Sequence, residues 1–199
     1  MSKEGKARII DAARRVISRN GIFGATVRGI AEEANMSTGG IYHYYKNKEE
    51  LLYDVMDESL SMSTKISRQA AEGIEDLEKL YEDISENIYM RFQKYDDNRL
   101  QFYLSHDAML GDEELKAKFK EKYNIWITGL ESLMGNLYEK PSGRLSNAFA
   151  SILFGSLDGT VLQVLLEANT APVEDLVEVY NLIMREGIPR FLDLLKNIE

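Results

Sequence analysis

Apolar residues recur at intervals of three and four along most of the chain, which is the spacing of one face of an α-helix. The first such stripe contains Ile9, Ile10, Ala13, Val16 and Ile17. No run of alternating β-branched residues is long enough to predict a strand, and only three prolines occur in 199 residues. The pattern predicts an all-α fold of about nine helices.

The predicted helices form a short N-terminal group and a longer C-terminal group. Glycine and asparagine breaks leave three short helices within roughly the first 45 residues, and longer apolar stripes follow. We therefore expect an N-terminal domain over residues 1–47 and a larger helical domain over residues 48–199.

Residues 26–45 are predicted to form two helices joined by a sharp turn. Thr26 precedes one helix and Ser37 precedes the other, and both residue types cap helix N-termini. Asn35 lies between them and tolerates the left-handed backbone that a tight turn needs. This arrangement is a helix-turn-helix, whose second helix enters the major groove of DNA.

The second of these helices begins with Gly39 and Gly40, although glycine costs about 1 kcal/mol in a helix interior. A helix without side chains there can approach a duplex closely, which would explain the pair. Ile41 and Tyr45 are four residues apart, so they share a face and are expected to pack inward.

Tyr42 and His43 are predicted to face DNA, where a tyrosine hydroxyl can donate to a phosphate. Lys48 follows Asn47, a predicted helix cap, and therefore lies where the helix dipole disfavours a cation. A phosphate bound by both Lys48 and the helix N-terminus would explain this placement. The alternative is a solvated lysine.

The charge distribution supports a polyanion-binding N-terminal segment. Residues 1–48 hold nine Lys/Arg and four Asp/Glu, a net charge of +5, whereas the whole chain carries −9. A basic end on an acidic body is typical of a protein that binds nucleic acid through one region.

Residues 7–56 resemble the DNA-binding region of TetR-type transcriptional regulators. The resemblance includes "T-x-R-x-I-A", "S-x-G-x-I-Y-x-Y-Y" and "K-N-K-E-E-L". The family usually has glycine at position 35 and phenylalanine at position 45, where this chain has Asn35 and Tyr45. At position 38 the family usually has lysine or another polar residue, so Thr38 indicates a different operator preference.

This resemblance implies a homodimeric repressor that binds a palindromic operator and whose C-terminal helical domain binds a small hydrophobic or aromatic effector. It also implies base readout by Arg28, Thr38 and His43. The residues that match family DNA contacts are Thr26, Arg28, Ser37, Thr38, Gly39, Tyr42, His43, Tyr44 and Lys48.

The last two long helices, predicted over about residues 144–168 and 173–197, are the expected dimer face. Gly155 and Gly159 would let helices approach closely, and the surrounding residues are apolar nearly all round. Pro189 is expected to kink or interrupt the last helix.

The middle helices are rich in aromatic residues and methionine, more than a helical core needs, which favours a ligand cavity between helices. His106 is a further candidate, although such a histidine is more often a core residue. Asp158 needs a partner in its apolar helix, and a structural role is favoured over a cationic ligand. The predicted ligand-binding residues are Tyr89, Phe92, Phe102, Tyr103, His106, Met109, Tyr123 and Trp126.

Enzymatic motifs do not occur: the sequence has no HExxH, no GxSxG, no Walker loop, no cysteine and two histidines. We therefore expect no catalytic activity, cofactor or metal. The N-terminal sequence lacks the apolar core of a signal peptide, and the most apolar stretch contains Asp158, so a cytoplasmic protein without a membrane span is expected. The alternative function is a helical protein-interaction adaptor that does not bind specific DNA.

Overall fold

The computed structural model describes residues 3–61, 66, 68, 72, 73, 76–139 and 143–196. Their secondary structure is helical, without a strand in these ranges, and the predicted all-α class is confirmed. The last three segments form one continuous helix, so the described residues contain nine helices. The elements are α1 Lys3–Gly24, α2 Val27–Glu33, α3 Thr38–Tyr42, α4 Lys48–Ser59, α5 Leu77–Gln93, α6 Tyr95–Met109, α7 Glu113–Leu137, α8 Ser146–Leu165, α9 Val173–Leu182, a π-turn Ile183–Gly187 and α10 Ile188–Lys196.

The chain forms two compact units. The first comprises Met1–Leu60 and Tyr95–Phe119, and the second comprises Ser61–Lys94 and Lys120–Glu199. Because α4 and α6 pack on each other and on α1, the first unit extends beyond the predicted domain of residues 1–47. The division of function at residue 47 stays a prediction.

The apolar stripe of α1 forms much of the core of the first unit. Ile9, Ile10, Ala13, Val16 and Ile17 are each 6% exposed or less, as the helical spacing predicts. Burial of such side chains stabilises a fold by roughly 1.5–3 kcal/mol for each large aliphatic residue. The stripe therefore forms a surface against which α2 and α4 pack.

The last helix is interrupted as predicted near Pro189. A proline inside a helix has no N–H to donate to the residue four positions earlier, which here is Arg185. The helix widens into the π-turn directly before it, where the Ile188 N–H donates to the Ile183 carbonyl five residues back. The π-turn thus absorbs the break without ending the helix.

Asp158 lies in the otherwise apolar helix α8 and is 9% exposed. Its carboxylate accepts hydrogen bonds from Arg91 Nη2 at 3.1 Å and from the Tyr123 hydroxyl at 2.7 Å. These contacts join α8 to α5 and α7 within the second unit. The structural role expected for Asp158 is supported. Tyr123 donates to this carboxylate, and its predicted role in ligand binding stays a prediction.

Replacing Asp158 by asparagine removes the negative charge that pairs with the buried Arg91 guanidinium. We expect Asp158→Asn to lower the free energy of unfolding by about 3 kcal/mol, measured by urea unfolding followed by circular dichroism. Glu178→Gln, at an exposed position of the same unit, is the matched control. Equal stabilities of the two variants would contradict the role given to the cluster.

Candidate nucleic-acid interface and apolar cavity

Two side-chain caps and one left-handed residue set the path of the chain from α2 to α3. Thr26 Oγ1 accepts a hydrogen bond from the Gly29 N–H at 3.0 Å, and Ser37 Oγ accepts one from the Gly40 N–H at 3.0 Å. Asn35 has a φ of 51°. All three predicted roles are confirmed, and they fix how α3 is presented.

Helix α3 and the turn after it have an inner and an outer face, as the spacing predicts. Ile41 and Tyr45 are 1% and 2% exposed, whereas Tyr42 is 56% exposed and His43 is also exposed. The ring of Tyr44 is half-buried and meets the His43 ring edge-on, with centroids 5.6 Å apart. The outer face therefore presents polar aromatic rings to solvent.

Tyr45 stands where the resembling family has phenylalanine, and its hydroxyl is buried. Burial, together with the nearby Asp54 carboxylate, raises the pKa of Tyr45 above its ordinary value, so the phenol remains protonated at neutral pH. Lys6 binds Asp54 at 2.6 Å and therefore compensates the charge of that carboxylate.

Gly39 and Gly40 of α3 have different surroundings in the folded protein. A Cβ at Gly39 would meet only Ser37 Oγ, at 3.9 Å, so this position is open to an approaching partner. A Cβ at Gly40 would lie 3.3 Å from Met36 Cε. The contact with Met36 is a second reason for glycine at position 40, and the role of both glycines in DNA approach stays a prediction.

The basic residues of segment 1–48 are largely paired with acids in the first unit. Arg15 and Arg19 of α1 bind Glu33 of α2, and these hydrogen bonds, with Arg19 the stronger contributor, hold the pKa of Glu33 below its ordinary value. Exposed ion pairs contribute little stability, about 0–1 kcal/mol, so phosphates can compete for these cations. Six of the nine form such pairs: Lys6, Arg14, Arg15, Arg19, Arg28 and Lys46.

Lys48 has a partner that the sequence did not predict. Its Nζ donates to the backbone carbonyl of Ile22 at 3.1 Å, which links the start of α4 to the end of α1. Asn47 caps α4 as expected, since its Oδ1 accepts from the Glu50 N–H at 2.7 Å. The phosphate contact of Lys48 stays a prediction, and the contact with Ile22 is a structural reason for a lysine in this first turn.

Seven of the nine predicted DNA-binding residues are exposed, and the other two, Tyr44 and Lys48, are half-buried. All nine lie in the first unit, within or next to α2, α3 and the start of α4. Arg28 pairs with Glu32 at 3.0 Å, and its side chain remains 84% exposed. The structure therefore presents these nine residues together, and their contacts with DNA stay predictions.

The predicted ligand-binding residues are divided between the two units. Tyr103 packs edge-on against Phe23 with centroids 5.4 Å apart, Met109 is 77% exposed and His106 is exposed. Their role in ligand binding stays a prediction. Phe102, Tyr103, His106 and Met109 lie on α6 in the first unit, whereas Tyr89, Phe92, Tyr123 and Trp126 lie on α5 and α7 in the second.

A cavity of about 150 Å³ lies within the second unit, and Trp126 is the predicted ligand residue that lines it. Trp126 stacks on Phe154 with centroids 5.2 Å apart. Most of the other lining is aliphatic, including Ile84, Ile88 and Leu133. Sequence reasoning missed these aliphatic residues because their helical spacing is the same as that of an ordinary core.

Fold and site together define a helix-turn-helix protein with a second helical unit that contains an apolar cavity. Residues 9–55 match the sequence profile of bacterial regulatory proteins of the tetR family. The fatty acid metabolism regulator protein of Bacillus subtilis is 28% identical over 160 residues, which is 77% of this chain and 79% of that protein.

Two solved structures share the fold. The transcriptional regulator FadR from Bacillus subtilis, solved in complex with stearoyl-CoA, has a TM-score of 0.67 and 23% identity, covering 91% of this chain and 98% of that one. The fatty acid degradation regulator FadR from Bacillus halodurans has a TM-score of 0.66 and 23% identity, covering 92% and 95%. The matched segment, residues 9–55, is therefore a helix-turn-helix domain of the tetR family type.

The left-handed conformation of Asn35 predicts a graded effect of substitution. Alanine strains this backbone region and glycine does not, so we expect Asn35→Ala to lower the free energy of unfolding by about 1 kcal/mol and Asn35→Gly to preserve or raise it. Urea unfolding of both variants checks this. If Asn35→Ala were as stable as Asn35→Gly, the turn would not depend on this conformation.

Proposed function

We propose that the chain is a ligand-responsive repressor that binds a palindromic operator as a homodimer and is released by a small hydrophobic or aromatic effector. The observation that carries the proposal is the outward presentation of Tyr42 and His43 on a capped, glycine-opened helix. The match of residues 9–55 to the tetR family profile and the similarity to a fatty acid metabolism regulator support it.

In this proposal α3 lies in the major groove and Arg28, Thr38 and His43 contact base edges. Arg28 is held by one exposed ion pair, which costs little to exchange for a base contact. Tyr42 and Lys48 contact phosphates, as do Thr26 and Tyr44, and these contacts position the helix without reading sequence. Gly39 leaves space for the sugar–phosphate wall, and Ser37 orients the helix as its cap.

The homodimer forms through α8, α9 and the segment after the π-turn. Ile152, Gly155, Gly159, Leu162 and Leu166 recur at spacings of three and four, which places them on one face of α8 and its C-terminal cap. Ile152 and Leu166 are 69% and 67% exposed, and a Cβ at either glycine would meet no atom within 4 Å. Such an apolar stripe with small residues suits close packing against a symmetry-related helix.

The length and apolar composition of α8 would also allow it to cross a membrane, and 22% of the residues in its most apolar window are buried. Burial of this face in a dimer accounts for the same composition. The ion pair between Asp158, in the middle of α8, and Arg91 of α5 favours the dimer, because an ion pair in hydrocarbon is costly.

The effector occupies the apolar cavity of the second unit. A cavity of similar volume lined by aliphatic and aromatic residues binds benzene, so a short chain or a ring is the expected size. The stearoyl-CoA complex of the Bacillus subtilis regulator supports an apolar, acyl-like effector. Effector binding would move the two recognition helices away from the roughly 34–36 Å spacing of one DNA turn.

Substitution of Lys48 tests the phosphate contact and does not require the operator sequence. We expect Lys48→Ala to reduce the slope of log Kd against log salt concentration by about one on a random-sequence duplex. Fluorescence anisotropy of a labelled duplex at several salt concentrations measures this slope. Lys116→Ala, at another lysine of the first unit that pairs with Glu113, is the matched control and should leave the slope unchanged.

Because Lys48 also donates to the Ile22 carbonyl, Lys48→Ala removes a contact within the fold as well as a charge, and a second variant is needed. Lys48→Arg keeps the charge and should restore the slope, while the unfolding midpoints of both Lys48 variants show whether the fold is preserved. A well-folded Lys48→Ala protein with the wild-type slope would contradict the phosphate contact. Complete absence of DNA binding by the wild type would favour the adaptor function instead.

The dimer proposal predicts that a charge on the α8 stripe separates the protomers. Ile152→Glu places a carboxylate at an exposed position of the folded protomer, which becomes buried in the dimer, and should raise the dimer Kd by at least about 100-fold. Sedimentation velocity over a range of protein concentrations measures this. Met109→Glu, at an equally exposed apolar residue outside the stripe, should remain dimeric; dissociation of both variants alike would contradict the assignment.

A further inference from the structure

Two exposed residues of α2 form an ion pair whose placement helix stability does not explain. Arg28 and Glu32 are four residues apart and therefore lie side by side on α2, with side chains that are 84% and 66% exposed. Arg28 stands in the first turn, at the positive end of the helix dipole, and Glu32 stands in the last turn, at the negative end. The dipole disfavours both placements, so the pair calls for a different reason.

The neighbouring glutamate of α2 provides the contrast. Glu33 also stands in the last turn, and it binds Arg15 and Arg19 of α1, which joins two helices. Among the residues that the structure describes, the side chain of Glu32 has one partner, Arg28 of its own helix. The carboxylate of Glu32 therefore contributes to the position of Arg28 rather than to the packing of α2.

The geometry of the pair leaves the outer end of the Arg28 guanidinium free. The bond to Glu32 Oε1 runs from Nε, at 3.0 Å, and neither Nη group donates to a residue in the described ranges. Two Nη groups can donate side by side to O6 and N7 of guanine, which is the commonest base-specific contact in the major groove. Arg28 can therefore contact a guanine while it keeps the ion pair, and exchange of partners is not required.

We propose that Glu32 is a positioning residue for DNA recognition, and that it holds Arg28 so that the two Nη groups contact a guanine in each operator half-site. The inference rests on the proposed function, because it concerns the same recognition surface. Ordering a long side chain before binding reduces the entropy cost of the base contact. The carboxylate also repels phosphates, so a duplex that offers Arg28 no guanine is bound less tightly.

Selection from a random-sequence duplex pool, at about physiological salt, compares the wild type with three variants of the full chain. The wild type should enrich guanine at one position of each half-site, and Arg28→Ala identifies this position because it should lower the preference there about tenfold or more. Glu32→Ala should lower the preference at the same position about threefold and leave the other positions unchanged. Glu32→Gln keeps an oxygen that accepts from Nε and should restore the preference.

Affinity for a fixed duplex outside the enriched set separates charge from orientation. Both Glu32 variants remove the repelling carboxylate, so each should bind this duplex about two- to fivefold more tightly than the wild type. Glu113→Ala removes another exposed, ion-paired glutamate of the first unit and is the matched control, which should change neither measurement. Because the dipole disfavours an acid at position 32, the unfolding midpoint of Glu32→Ala should not fall below that of the wild type.

The outcomes distinguish the positioning role of Glu32 from the function on which it rests. Enrichment of no sequence by the wild type overturns the proposed function, and the inference with it. A wild-type palindrome whose guanine preferences survive in Arg28→Ala, or in Glu32→Ala, overturns the positioning role and leaves the proposed function intact. Loss of a cytosine preference in Glu32→Ala, at a position that Arg28→Ala does not affect, assigns Glu32 to direct contact with cytosine N4 and also overturns that role.

Discussion

The left-handed turn at Asn35, held between two side-chain caps, is the constraint on which the candidate interface depends. Thr26 and Ser37 satisfy N–H groups that would otherwise be unpaired at the starts of α2 and α3. With both helix starts fixed, the inward side chains Ile41 and Tyr45 can anchor α3 to the core of the first unit. Because its inner face is anchored in this way, the outer face of α3 stays directed towards solvent.

Basic residues of the first unit have two roles in this account, one in holding the helices together and one in binding DNA. Arg15 and Arg19 bind Glu33 and hold α1 to α2, which gives basic residues a structural task besides any attraction for DNA. Lys48 does the same for the start of α4 through the Ile22 carbonyl. A cation that already has a weak partner at the surface is oriented in advance, and exchanging that partner for a phosphate costs little because exposed ion pairs contribute little stability.

Local rules were sufficient to predict the N-terminal helices, because caps, the left-handed asparagine and the apolar spacing are all encoded within a few residues of each other. The interruption at Pro189 and a partner for Asp158 were predictable for the same reason. The identity of that partner was not, because Arg91 is distant in sequence. Most residues that line the cavity were missed for a related reason: Ile84, Leu133 and Ile188 meet only after folding, and their spacing alone is that of core residues.

Selection of duplexes from a random-sequence pool by the purified full chain, at about physiological salt, is the most direct test that α3 reads DNA as part of a twofold pair. The account predicts enrichment of one palindromic sequence whose half-sites are centred about 10 base pairs, or a multiple of this, apart. Enrichment of no sequence, or of a sequence without twofold symmetry, would contradict it.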